Sequence, residues 1–340
     1  MLAAVKRQKW SYLAMIACLL LLVLLPTKYL LAEKISLLTA VGVYSIVTVG
    51  LCLLMGYTGQ VALGQAAFFG LGAYISAILS TTHDVNPWLA MLIAALATGA
   101  FAYVAGFPIL RLRGNYLAMA TLGLGIIMWV LFRNLRQYTG GPDGTTGVPN
   151  LSIGGFVLDT DLRKYSLIWA FCIVVLLISQ NVMRSRVGRA LRAIHGSEGA
   201  AESVGVNVTQ FKVKIFVMSA VYASVAGSLY AHQTNAIGPS SFDFLASVVI
   251  LTMAVVGGLA SVWGAVFGAA AILILKIELI PEMSKMSFLR PLFTSGAAYL
   301  ITYGLLLMLV MIFMPSGLFV TLRDALERWR LRHAHRGTPT

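Results

Sequence analysis

Along most of this chain, apolar residues run in blocks about as long as a bilayer crossing, joined by short polar stretches. The blocks fall near 11–26, 35–55, 66–82, 88–110, 114–132, 165–183, 215–232, 242–258, 261–280 and 296–314. The pattern predicts an all-α polytopic membrane protein with about ten hydrophobic segments, roughly eight to ten of which cross fully. With ten crossings, both termini lie on one side.

Two polar intervals are long. One, at 133–164, is dense in turn formers, reading TGGPDGTTGVP from Thr139. The other, 183–217, reads MRSRVGRALRAIHGSEGAAESVGVNVTQFKVKIFV, with Arg184, Arg186, Arg189 and Arg192 close together and Lys212 and Lys214 near its end. If 187–206 is broadly helical, Val187, Leu191, Ile194, Ala201 and Val204 share one stripe, with the arginines largely off it. Gly196 and Gly199 are expected to break it into two short helices. The apolar stripe suits a groove on a partner protein or, equally, a bed of anionic lipid headgroups.

Charge then orients the bundle. The chain has 25 Lys and Arg against 12 Asp and Glu, a net charge of +13. In a soluble protein that would suggest nucleic acid. Here 59% of residues are hydrophobic, mean hydropathy is +0.86, and the basic residues cluster beside apolar spans, so nucleic-acid binding is not expected. Most of them fall at Lys6–Lys9, Arg111–Arg113, 184–214 and Arg323–Arg336, which puts those segments and both termini in the cytoplasm. Lys6, Arg7 and Lys9 before the run 11–26 also resemble a signal peptide. Leu30 stands three before the best cleavage candidate, Ala32, so an uncleaved first span is expected.

What the spans lack narrows the chemistry. No Asp, Glu, Lys or Arg sits in the middle of any predicted span, and intramembrane carboxylates are the usual carriers of proton coupling. No Gly-Lys-Ser or Gly-Lys-Thr occurs, so no Walker A site is present, and the five histidines form no His-Glu-x-x-His. Cys18, Cys52 and Cys172 lie in apolar runs and suggest neither disulfide nor zinc. No enzyme activity, cofactor or metal is expected on this chain.

Two glycine clusters stand out within the apolar blocks. The first, GYTGQVALGQAAFFGLGAY from Gly56, has Gly56, Thr58, Gly59, Gln60, Gly64 and Gln65 where an ordinary span would be apolar. Unwound backbone at membrane depth is tolerated only inside protein or along a cavity, so these residues are candidates for a translocation pathway. The second cluster, Gly257 to Gly268, shares a six-residue glycine spacing with the first, Gly64/Gly70 and Gly258/Gly264, hinting at a duplicated unit. Close helix packing by small residues is the expected account of most of these glycines. After RLRGNY from Arg111, Asn115 and Thr121 are further pathway candidates, or helix-to-helix hydrogen-bonding residues.

With these blocks in view, the chain resembles the membrane permease subunits of branched-chain amino acid ABC importers, specifically the longer, M-type permease. The resemblance rests on GYTGQVALGQAAFFGLGAY, RLRGNYLAMATLGLG, TGGPDGTTGVP and RSRVGRALRAIHGSEGAAESVGVNVTQFKVKIFVMSA, in that order, over about 38–315. It implies an importer permease domain over 35–318, after an N-terminal basic segment and first helix at 1–34 and before a basic cytoplasmic tail at 319–340. It also implies an EAA-type coupling motif, matched by Ala200, Ala201, Gly205 and Ile215. The motif's Glu position holds Gly199, and its later Pro position holds Met218.

By resemblance, Arg186, Gly188, Arg189, Arg192, Ala193, Glu198, Ala200, Ala201, Glu202 and Gly205 form the loop that docks on an ATPase. The implied partners are a second permease, two ABC ATPase subunits that bind ATP and Mg, and a periplasmic or lipid-anchored amino-acid-binding protein, all at the bacterial inner membrane among its lipids. Helix-end dipoles can hold a zwitterion without fixed side-chain charge. A urea or short-chain amide cargo meets the same requirement, and a self-sufficient secondary transporter is the alternative of a different class.

Overall fold

A computed structural model describes residues 34–279 except 113, 154 and 155, together with positions 304, 305 and 308. The predicted span 11–26, the predicted span 296–314 apart from those three positions, Cys18, and the segments 1–33 and 319–340 lie outside the described residues. Within them the chain is helical almost throughout: α1 (Ile35–Thr58), α2 (Gln65–Thr82), α3 (Pro87–Ile109), α4 (Asn115–Asn134), the single turn α5 (Arg136–Thr139), α6 (Asp161–Arg184), α7 (Arg186–Gly196), α8 (Glu198–Ser203), α9 (Val208–Thr234), α10 (Phe244–Gly257) and α11 (Gly264–Ile274). A π-helical turn, Leu275–Leu279, continues α11.

Five of these, α1, α3, α4, α6 and α9, are long and apolar enough to cross a membrane. α10 is apolar but has 14 residues, about 21 Å at 1.5 Å per residue. Each predicted span between 35 and 280 therefore corresponds to a helix, but not every helix has the length of a full crossing.

α1 is the central post, buried along most of its length, and α3, α4 and α6 present broad apolar faces outward. Glycine and serine permit the closest helix contacts. A methyl group built on Gly227 of α9 would lie 1.9 Å from the Phe69 carbonyl oxygen of α2, and one on Gly72 would lie 2.2 Å from that of Ser224. With no side chain to separate them, α2 and α9 pack backbone to backbone, and Ser228 Oγ donates to the Gly72 carbonyl at 3.1 Å. Gly257, Gly264 and Gly268 let α10 and α11 approach in the same way. For these glycines the close-packing reading holds.

Contacts between loops sort into two ends. At one end Lys34 pairs with Glu278 at 2.8 Å, Trp88 Nε1 donates to the Ser152 carbonyl, and strand β1 (Thr145–Thr146) pairs antiparallel with β4 (Ala236–Ile237). A second two-residue ladder joins β2 (Ser152–Ile153) to β3 (Phe156–Val157). Turn chemistry alone does not foresee these ladders, because their partners are distant or side by side in a loop. His232, in the last turns of α9, ties this end together. Its Nδ1 lies 2.7 Å from the Pro149 carbonyl, which only a ring N–H can satisfy, and its Nε2 lies 2.9 Å from Ser76 Oγ. At the opposite end lie α7, α8 and the joints after α1 and α10.

Candidate functional site

The basic loop folds as an elbow of two helices. Ser185 caps α7, its Oγ accepting from Val187 N at 3.1 Å, and Ser197 caps α8, accepting from Ala200 N at 3.3 Å. The break expected at Gly196 and Gly199 is thus made by Ser197, whose extended backbone separates the helices, while Gly199 lies inside α8. Leu191, Ile194 and Ala201 are buried. They pack on this chain's own helices, Leu191 in the main core and the other two with Val206, Val208 and Phe211.

The apolar stripe therefore fills an internal seam and is not the face offered to a groove or to lipid. Val204 departs from it altogether, at 75% exposed, because α8 ends at Ser203 and the chain turns away. Gly205 makes that turn with φ of +82°, a conformation that L side chains rarely adopt, and nothing lies within 4 Å of a methyl group built there. Underneath, Lys212 Nζ sits 2.6 Å from Glu198 Oε1, with the lysine side chain 5% exposed and the glutamate 35%. Arg192 Nη1 donates to the Met183 carbonyl at the end of α6.

The first glycine cluster is an interruption within the bundle. α1 ends at Gly59, whose φ of +69° is left-handed, and residues 59–64 are non-helical before α2 begins at Gln65. Gln65 Nε2 donates to Ser219, to its carbonyl at 3.1 Å and its Oγ at 3.0 Å. Gly50 of α1 meets the same Ser219, and Gly50 lies eight residues, about 12 Å, before the end of α1. α2 therefore starts deep in the bundle, and 59–64 climbs back alongside the helix it has just left.

The freed backbone groups find hydroxyls. Leu63 N donates to Thr121 Oγ1 at 3.0 Å, and Ala66 N donates to Ser247 Oγ at 3.1 Å. A methyl group on Gly64 would lie 2.2 Å from the Thr121 carbonyl, so this turn needs glycine for a close approach. Gln60 is 4% exposed, and among the described residues neither its Nε2 nor its Oε1 has a hydrogen-bond partner.

Comparison with known proteins now decides the family. The model of the branched-chain amino acid transport system permease component matches residues 34–315. The chain belongs to that permease family. It is 31% identical over 317 residues to the high-affinity branched-chain amino acid transport system permease protein LivM of Salmonella typhimurium, covering 86% of this chain and 72% of that one. LivM of Escherichia coli is 32% identical over 308 residues, covering 84% and 69%. The ribose import permease protein RbsC of Escherichia coli is 27% identical over 254 residues, covering 72% and 76%. No solved structure gives a significant match.

In this permease the candidate residues separate by position. Arg186, Arg189, Arg192, Ala193, Ala200, Glu202 and Gly205 are exposed on the elbow, whereas Gly188 and Ala201 are buried in its underside and Glu198 is half-buried against Lys212. A methyl group on Gly188 would lie 2.2 Å from the Met183 carbonyl, which accounts for that glycine by packing. Of the pathway candidates, Gly64, Gln65 and Thr121 meet at the start of α2, with Gln60 in the non-helical segment that leads there. Thr58 is buried and bonds back to the Leu54 carbonyl, and Gly56 packs on the Leu259 backbone. Asn115 stands apart, exposed at the first position of α4 and six residues from Thr121, on another face of the helix.

Ser219 and Ser247 escape notice in the sequence, and Lys212 shows there only as one of the loop's basic residues, because nothing in the local pattern marks their long-range partners. Among the described residues no group of three or more His, Cys, Asp or Glu is placed to hold a metal.

Proposed function

We propose that this chain is the membrane-spanning permease subunit of an ATP-binding-cassette importer for branched-chain or related hydrophobic amino acids. It contributes no nucleotide site of its own. ATP and Mg are bound by two partner ATPases, a second and unequal permease completes the pathway, and an extracytoplasmic binding protein delivers the cargo. The α7–α8 end faces the cytoplasm with both termini, and eight to ten of about ten segments cross the inner membrane.

The observation that carries the proposal is the elbow itself. Its apolar seam is used to fasten it to the bundle, so its outward face of Arg186, Arg189, Ala193, Ala200, Glu202 and the Gly205 turn is exposed to a partner and rigidly backed. A lipid-lying helix would instead keep an apolar face outward. The interrupted segment supports the pathway reading: a helix start within the bundle offers backbone dipoles to a zwitterion while, among the described residues, no Asp, Glu, Lys or Arg is buried beside it.

The test is radiolabelled leucine uptake into proteoliposomes holding this chain, its candidate partner permease, ATPases and binding protein. Uptake that requires both ATP and binding protein is expected, with competition by valine and isoleucine. Competition by urea alone would reassign the cargo, and ATP-independent uptake by this chain alone would establish a secondary transporter.

A further inference from the structure

We propose that His195 is a positioning residue through which displacement of the α7–α8 elbow acts directly on the interrupted segment, by way of the bare backbone of Gly59. The proposal rests on the coupling reading of that elbow and names the contact by which it works.

Gly59 is the point where the elbow touches the pathway segment. A methyl group built on Gly59 would lie 3.1 Å from His195 Nδ1 and 3.6 Å from its Cε1. The imidazole at the last turn of α7 therefore rests against a residue that has no side chain and a left-handed φ of +69°. Gly59 N makes the last helical bond of α1, to the Met55 carbonyl at 3.0 Å, and beyond it residues 60–63 are non-helical up to Gly64, which is held against Thr121. A push at one end of such a segment reaches the start of α2.

The other side of the contact is braced. Leu191 and Ile194 are buried beneath α7, which packs on α1, α6, α8 and α9, and the Lys212–Glu198 pair holds α8. α7 and α8 thus move as one body when their outward face is pulled. Other contacts at this end serve a different joint: Gly56 meets Leu259, and Tyr57 OH donates to the Ala260 carbonyl at 2.9 Å, tying α1 to the turn between α10 and α11. Gln60, beside Gly59, is buried, and neither amide heteroatom has a hydrogen-bond partner among the described residues. Buried polar groups are ordinarily hydrogen-bonded, so this segment has bonds to gain in a second arrangement.

The experiment is a double-mutant cycle read as cargo taken up per ATP hydrolysed by the reconstituted transporter. His195→Ala is expected to lower that ratio by about threefold or more, with assembly and ATP hydrolysis retained, and His195→Phe, which keeps a ring, is expected to restore most of it. Gly59→Ala lowers the ratio in the presence of His195 and lowers it less once His195 is Ala. An unchanged ratio in His195→Ala, or strictly additive effects, overturns the proposal.

A second readout needs no ATP: thiol labelling of Val61→Cys in the isolated permease with Cys18→Ser, since Val61 is 42% exposed. His195→Ala is expected to speed that labelling, and an unchanged rate overturns the contact. Faster labelling in an assembly that shows no ATP-driven uptake would instead overturn the importer reading and leave the contact standing.

Discussion

Truncating Glu198 should loosen the elbow more than removing the lysine beneath it. The two side chains form one ion pair at 2.6 Å, but Lys212 is 5% exposed and Glu198 is 35% exposed. Glu198→Ala leaves an ammonium in a site water barely reaches, whereas Lys212→Met leaves a carboxylate that water can solvate. Breaking a fully buried pair by removing one partner costs about 3–5 kcal/mol. Here Glu198 is already a third open to solvent and screened, which lowers the expectation for Glu198→Ala to about 1–2 kcal/mol.

The assay is amide hydrogen exchange across residues 197–211, where local opening governs the rate. At about 1.4 kcal/mol per decade, Glu198→Ala should accelerate exchange there by about 5–30-fold. Lys212→Met should accelerate it by about threefold or less, the apolar replacement filling the stem's place. The double substitution should behave like Lys212→Met alone. A larger effect from Lys212→Met than from Glu198→Ala, or a double variant as loose as Glu198→Ala, would refute the view that the buried ammonium is the strained partner.

Three further outcomes follow from other contacts. Gly205→Glu adds a charge on the elbow's outer turn and about 1–2 kcal/mol of left-handed strain, so ATP-driven uptake should fall with expression unchanged, while Gly205→Asn should retain most of it; uptake unaffected by Glu would count against docking at that turn. Gly227→Ala places a methyl group 1.9 Å from the Phe69 carbonyl oxygen and should destabilise the α2–α9 pair by about 1–3 kcal/mol, read as a lower unfolding midpoint in detergent. His232→Phe leaves the Pro149 carbonyl and Ser76 Oγ without their shared partner, at about 1–3 kcal/mol, and should speed proteolytic cutting between 139 and 160; protection equal to wild type would show that the ring bonds contribute little there.

Much of the bundle was legible in the amino-acid order because membrane helices are specified locally. An apolar block of about 20 residues must satisfy its own backbone, and a helix is the way a single segment does so. The blocks at 35–55, 88–110 and 165–183 needed no knowledge of their neighbours. The family was equally legible, since its motifs are read along the chain. So was the presence of a break near Gly59 and Gly64, where glycine, threonine and glutamine replace apolar residues.

What the linear order did not contain is where each local feature is used. The stripe through Leu191, Ile194 and Ala201 looks the same whether it faces a partner, a lipid surface or the chain's own α9, and only packing chose the last. Val204 continues the periodicity on paper, but α8 ends at Ser203 and the chain turns away before Val204 can join the stripe. Thr121 and Asn115 were equivalent polar residues on one helix until the depth at which α2 begins brought Thr121 to Leu63 and left Asn115 exposed. The pairs that define the candidate site, Gln65 with Ser219, Lys212 with Glu198 and His195 with Gly59, join residues from different helices or loops. Helix propensity and hydropathy act over a few residues, while these contacts depend on how whole helices stack, and so the tertiary structure alone decided them.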